Sequence, residues 1–346
     1  MSCMIKKYYT INRAYSIIFL NRDIVVIKGL SNQFSIKGTG IGNAVKEILD
    51  YFKESALFED VTAALSSKYS LKSLQKLLDY LAKKSVLIYT VDSDELYEFD
   101  KEFLEKSYAY TLSGMSLKEI GSIIASAKVG IIGISAITND IIYNLRKIGI
   151  SGKINIVATD DELAFRSNFE EDIVYHDLYS NESFNQKFID ESDLIIAAAN
   201  YNNHFLFNQI NELCLKKRKS WIRILVEGIS AEIGPLFITG ETACYSCMHS
   251  RRQRHMNKEE FVVNDLYATS IEFGDSLEKV LKFSNFYPLY ALSATIASSE
   301  AIKYLVNMKC NLKNQVLIAN CVDFDMETNY IHKDYYCSVC AGGKSV

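Results

Sequence analysis

No stretch of this chain is apolar for long enough to cross a membrane. The longest apolar runs, such as Leu194–Ala199, are strand-sized, well short of the roughly 20 residues that a spanning helix needs. Residues 1–12 carry polar and charged side chains and no apolar signal-peptide core, so the protein is expected to stay in the cytoplasm. An excess of one charge is lacking too: 38 Lys and Arg against 42 Asp and Glu leave a formal −4, which gives no electrostatic case for nucleic acid or a membrane surface as partner. Proline is nearly missing, with two residues, and no low-complexity tract or internal repeat is visible. What is there is ordinary for a globular protein, 49% hydrophobic and 23% charged. A length of 346 residues suggests two domains.

Eight cysteines in a reducing compartment do not suggest a disulfide framework. Four fall into two C-x-x-C pairs, Cys244/Cys247 and Cys337/Cys340. A single such pair could be a redox couple, but two of identical spacing suit tetrahedral thiolate ligation of one Zn²⁺. Four thiolates fill the coordination sphere, so the expected role is structural rather than catalytic. The remaining four, Cys3, Cys214, Cys310 and Cys321, have no such partners.

The first ninety residues read as a unit of their own. Tyr8–Asn12, Tyr15–Asn21 and Asp23–Lys28 are strand candidates rich in Ile, Val, Tyr and Phe. Helical periodicity follows over Gly42–Phe52, Phe58–Tyr69 and Ser70–Lys84, with Leu74, Leu77, Leu78 and Leu81 on one face of the last. Val86–Val91 closes a pattern that reads as a winged helix-turn-helix module. Gly38, Gly40 and Gly42 have the wrong spacing and context for a phosphate loop and read as a strand-to-helix connection. The expected division is therefore a module over 1–91, a linker and helix over 92–127, and an α/β domain over 128–346. In that domain Val129–Ile132, Lys153–Ala158, Asp193–Ala199 and Trp221–Val226 alternate with helical patterns such as Ile137–Ile148, which implies a Rossmann-like parallel sheet.

Four ordered motifs carry a resemblance. Gly133–Asn139 (GISAITN) follows the first strand of the α/β domain; Asp160 and Ser167-Asn168 follow the second; Glu232–Phe237 (EIGPLF) runs on through Gly240 and Thr242 to Cys244-Tyr245-Ser246-Cys247; and Tyr287-Pro288 opens an apolar helix. Over residues 125–343 the chain resembles the ThiF-like adenylating enzymes, relatives of the ubiquitin-activating enzyme, and within them the microcin C group. A winged helix-turn-helix ahead of such a domain resembles the leader-recognition element of proteins that modify ribosomally made peptides. The resemblance implies that a leader peptide adds as a strand to Asp23–Lys28 (Asp23, Ile24, Val25, Val26, Ile27, Lys28), beside Leu74, Leu77, Leu78 and Leu81. A leucine stripe at helical spacing is otherwise simply core. The resemblance also implies a homodimer and a YcaO-type cyclodehydratase as partner.

For a nucleotide site the resemblance singles out Gly133, Asn139 and Asp160. The same segment departs from the family where glycines are expected, with Ser135, Ala136 and Thr138 instead. Glu170, Glu171 and Asp172 stand where the family has an Arg, and Asn200 stands where it has an acidic Mg²⁺ ligand. Negative charge on a triphosphate path is costly. Two readings result: a non-catalytic subunit that binds the leader and presents the core peptide, or an enzyme that uses ATP and Mg²⁺ to activate a carboxylate or amide of that peptide. No catalytic residue is assignable, and a sulfur-carrier activator fits least well. The basic run His249–His255 reads either as a solvated loop or as a contact for an acidic partner.

Overall fold

The computed structural model describes residues 8–12, 15–29, 33–53, 55–90, 115, 117–133, 136–152, 154–158, 173–177, 182–200, 204–256 and 286–341. The chain divides into two compact units, Met1–Ile124 and Ala125–Val346.

The first unit is richer in strand than the sequence pattern implies. β1 (Tyr8–Ile11), β2 (Ser16–Asn21), β3 (Ile24–Lys28) and β4 (Gln33–Lys37) precede helix α1 (Ile41–Tyr51); β5 (Ala56–Leu57), α2 (Phe58–Leu65), α3 (Leu71–Lys83) and β6 (Leu87–Thr90) follow. They form two small antiparallel sheets, ordered β5-β1-β6 and β2-β3-β4. Val25 and Ile27 of β3 point inward onto Val45, Ile48 and Leu49 of α1 and Leu74, Leu78 and Leu81 of α3. The side chain of Ser70 caps α3 by accepting from the Ser73 amide at 3.3 Å.

This arrangement corrects the expected peptide-receiving strand. β3 is paired along its length on both sides, Val26 with Ile18 of β2 and with Ser35 of β4, so its backbone groups are already satisfied and it cannot accept a further strand. Asp23 has a local job, its carboxylate accepting from the Gly40 amide at 2.7 Å. Leu74, Leu78 and Leu81 are buried core residues, and of that leucine stripe only Leu77 is partly exposed.

The second unit is built on one eight-stranded sheet, ordered β14-β13-β12-β11-β10-β7-β8-β9. Its strands are β7 (Val129–Ile132), β8 (Ile154–Ala158), β9 (Ile173–Asp177), β10 (Leu194–Ala199), β11 (Trp221–Glu227), β12 (Ser230–Phe237), β13 (Gln315–Asn320) and β14 (Asp325–Tyr330). Its helices are α5 (Ala136–Ile148), α6 (Glu182–Glu191), α7 (His204–Lys217), α8 (Tyr245–His255) and α9 (Pro288–Leu305), and α4 (Leu117–Ser126) runs up to the start of β7. β7 and β10 are buried at every position, as continuous apolar runs in a parallel sheet should be.

The sheet is mixed rather than wholly parallel. β7 to β11 are mutually parallel, whereas β12, β13 and β14 continue it in antiparallel fashion. From β7 the chain moves outward to β8 and β9, then returns to place β10 on the other side of β7. The crevice at the carboxyl ends of β7 and β10 is thus a topological switch point, where open α/β sheets bind ligands. The loop at Gly133 and residue Asn200 stand there.

Candidate functional site

At the switch point, Gly133 has φ +101°, and a Cβ there would collide with the Ala198 carbonyl. Close approach of two chain segments therefore fixes this glycine with no ligand needed. Thr138, where the family pattern has glycine, is buried, and its hydroxyl donates to the Gly133 carbonyl at 2.8 Å. Asn139 is exposed, and next to it the half-buried Asp140 has its carboxyl raised by burial, with Oδ2 lacking a hydrogen-bond partner. Thr138 thus ties the first turn of α5 back to Gly133, and a half-buried acid follows it two residues on. Asp160 and Glu170–Asp172 lie outside the described residues.

The cysteines predicted from their spacing come together. Cys244 stands at the N-cap of α8 and Cys247 in its first turn, where the helix end favours thiolate charge. Cys337 and Cys340 arrive from the far side of β14. Sγ separations are 3.7 Å for Cys244–Cys247, 3.6 Å for Cys244–Cys337 and 3.4 Å for Cys247–Cys340, and all four sulfurs lie within 4.8 Å of one another. Four sulfurs about 2.3 Å from a central ion stand about 3.8 Å apart at tetrahedral angles, so the cluster is sized for a thiolate-bound metal. The Asp334 amide donates to Cys247 Sγ at 3.3 Å, the kind of outer contact that orients a ligand thiolate. The Asn211 carboxamide accepts from the Tyr245 amide and that of Asn314 from the Ala243 amide, both at 2.9 Å, holding the first knuckle in place. Within the cluster the Cys247 thiol is held below its ordinary value, first by its hydrogen bond from Cys244.

One group of residues escaped the sequence reading. Arg223, in the middle of β11, is fully buried. Its Nη1 donates to Glu232 Oε2 at 2.6 Å, while the other carboxylate oxygen of Glu232 accepts from Arg252 Nη2 on α8. The guanidinium lies over the rings of Phe207, at 4.8 Å, and Tyr245, at 6.0 Å. His204 Nδ1 is 3.1 Å from the Tyr245 hydroxyl, and His204 and His249 stack with ring centroids 3.4 Å apart. Burial pushes His249 down to about 3 and lowers His204 as well. Glu232 is pushed up by burial, but the charges of Arg223 and Arg252 outweigh that and hold it at about 2. His249–His255 is therefore a helix with its first imidazole half-buried, not a solvated loop. The signal in the sequence was a lone Arg inside the apolar strand WIRILV, which demands a buried partner.

The ThiF family model matches residues 164–339. No curated protein sequence matches the chain. Among solved structures it resembles E. coli MccB, with a TM-score of 0.71 and 15% identity over 98% of this chain and 98% of that one. The E. coli MccB complex with MccA-N7isoASN gives 0.69 and 17%, over 97% of this chain and 100% of that one. The heterocyclase TruD gives 0.65 and 14%, over 96% of this chain but 43% of that one. At these identities the likeness is one of fold. Among the described residues no helix is long and apolar enough to cross a membrane.

Proposed function

We propose that this chain, which belongs to the ThiF family, binds the leader of a ribosomally made precursor peptide and presents its core for modification by a separate YcaO-type cyclodehydratase. Residues 1–91 then act as a winged helix-turn-helix recognition module and 128–346 as a ThiF-type domain stapled by Zn²⁺ on Cys244, Cys247, Cys337 and Cys340. The observation that supports this reading most is the free edge of β4. It pairs only with β3 among the described residues, and Phe34 on it meets Tyr80 of α3 at 6.0 Å between ring centroids. An extended peptide can add there by main-chain hydrogen bonds, with Leu77 and Tyr80 of α3 as neighbouring side-chain contacts. The receiving edge thus moves from Asp23–Lys28 to Gln33–Lys37. The chain covers 43% of TruD. On this reading a core tethered through its leader is delivered to the cyclodehydratase at high effective concentration.

The second reading is an adenylating enzyme acting on the peptide itself, and what favours it is the end-to-end match with MccB. Gly133, Asn139 and Asp160 are its nucleotide residues. The tied loop at Thr138 and the acid at Asp140 count against it. Titrating ATP·Mg²⁺ into the chain by calorimetry, with and without a synthetic leader of the precursor encoded beside it, separates the two. Leader binding without nucleotide binding, weakened about tenfold or more by Leu77→Asp or Tyr80→Ala, is the expected result. ATP binding lost in Asp160→Ala makes the chain the catalyst. The implied homodimer has a fitting surface in edge strand β14, where Met326 and Tyr330 are exposed.

A further inference from the structure

A cavity of about 220 Å³ lies against the cysteine cluster, walled by Leu215 of α7, Phe237 at the end of β12, Val339 of the segment after β14, and Cys244 and Cys340 themselves. Such a space has room for several water-sized molecules. Cys244, Cys247 and Cys337 are buried, at 8% exposure or less, whereas Cys340 is only half-buried. Cys340 thus combines a place on the cavity wall with partial exposure, while Cys244, on the same wall, is enclosed at the head of α8.

The sulfurs also differ in how they are held. Cys247 Sγ accepts from the Asp334 amide at 3.3 Å. Among the described residues no backbone amide donates to Cys340 Sγ, which has Cys247 Sγ 3.4 Å away. A hydrogen bond draws charge from a thiolate and blunts it as a nucleophile. Oxidation follows thiolate character and access, and ligation of a metal supplies thiolate character at all four positions. Access then selects Cys340, and proximity selects Cys247 as the thiolate that answers it.

We propose that Cys340 is a modification site for a small hydroperoxide, and that its oxidation together with Cys247 releases the metal. The Cys340 thiolate attacks one oxygen of hydrogen peroxide; the O–O bond breaks, hydroxide leaves and the sulfur becomes a sulfenic acid. The Cys247 thiolate then attacks that sulfur, the S–O bond breaks and a second hydroxide leaves. Two thiolates have lost two electrons to one peroxide, and a Cys247–Cys340 disulfide remains. Cys244 and Cys337 are left as the only thiolates, half of the four that a closed site needs. Because Cys247 belongs to α8 and Cys340 to the segment after β14, the new bond keeps these two parts stapled after the ion has gone. The proposal rests on the zinc staple and not on leader binding.

The test uses the full chain, purified without chelator and with its zinc counted first. Hydrogen peroxide is added, zinc release is followed with a colorimetric indicator, and the thiols still free at early times are blocked with iodoacetamide for peptide mass spectrometry. The expected result is zinc release in step with a Cys247–Cys340 disulfide, with Cys244 and Cys337 alkylated. Dimedone, which traps sulfenic acids, should label Cys340 ahead of the other three. Leu215→Trp, which narrows the cavity from α7, should keep its zinc and slow the release severalfold. Several results overturn the proposal: zinc held against peroxide doses that oxidise glutathione, first trapping at another of the four cysteines, or a disulfide between another pair. A zinc-loaded Leu215→Trp that releases as fast as wild type overturns it as well. A chain that purifies without zinc overturns the staple itself, and the proposal with it. Should Leu215→Trp not fold, the trapping and the disulfide map of the wild-type chain decide alone.

Discussion

Arg223 Nη1 and Glu232 Oε2 meet at 2.6 Å on neighbouring antiparallel strands, with the Arg223 side chain at 0% exposure and that of Glu232 at 17%. A pair so enclosed contributes little over an apolar pair of the same shape, yet breaking it from one side leaves a charge stranded. Glu232→Ala strands two guanidiniums at once and should destabilise the ThiF-type unit by about 3–5 kcal/mol. Denaturant unfolding followed by fluorescence of Trp221, the single tryptophan, measures this; a loss below about 1 kcal/mol would put the pair outside the folding balance.

The same carboxylate sets an acid limit. Glu232 falls from an ordinary 4.5 to about 2 in the folded protein, so its contribution is fully present above 4.5 and disappears as pH drops towards 2. A shift of that size corresponds to about 3 kcal/mol. Wild-type stability should fall through this window, and Glu232→Gln, already destabilised, should show a correspondingly flatter profile. Parallel profiles would assign the acid sensitivity to other carboxylates.

The cysteine cluster should hold one zinc per chain, measured by plasma emission spectroscopy on protein purified without chelator. Cys247→Ser or Cys337→Ser should lose the metal and lower the thermal midpoint, whereas Cys214→Ser, at a buried cysteine away from the cluster, should keep it. Full metal content in all three variants would show that the sulfurs do not act as one site.

Gly133→Ala should destabilise by about 2 kcal/mol or more with no nucleotide present, because its positive φ and the Ala198 carbonyl both forbid a side chain. Calorimetric unfolding checks it, and an unchanged midpoint would mean that the loop can open at little cost.

In α3, Leu78→Ala should cost about 2–5 kcal/mol, as a fully buried leucine does. Leu77→Ala should cost far less, being only partly buried. The contrast in urea midpoints separates the residue that builds the module from the one left to meet a ligand.

Where the sequence was legible, a single physical demand dominated. β7 and β10 lie inside a sheet covered on both faces, so they read as unbroken apolar runs, and β11 breaks its run only at Arg223 before its last residue. The paired cysteines were legible because thiolate ligation needs that spacing. β12 was hidden because its sequence, SAEIGPLF, includes a Glu, a Gly and a Pro that strands usually avoid. β14 was hidden because both its faces are exposed, leaving DMETNY without alternation. β4 does alternate, with Phe34 and Ile36 half-buried between exposed neighbours, yet it is short and runs into the glycines at 38 and 40. The buried ion cluster was beyond reach for another reason. Arg223 and Glu232 are nine residues apart in sequence, Arg252 lies on a helix after them, and only the antiparallel turn from β11 to β12 brings the three together.

Cys244 and Cys337 are separated by 93 positions, as are Cys247 and Cys340. On a ribosome adding about 5–20 residues per second, the first knuckle therefore waits roughly 5–20 s before its partners have even been made. During that interval two thiols stand ready at the head of α8 with half a coordination sphere. Strands β13 and β14 are also synthesised within it, so every strand of the sheet has been made before the last two cysteines. Capture of the proposed metal thus falls at the very end of synthesis: a nascent chain that stalls before Cys337 holds only two of the four thiols that would close the cluster.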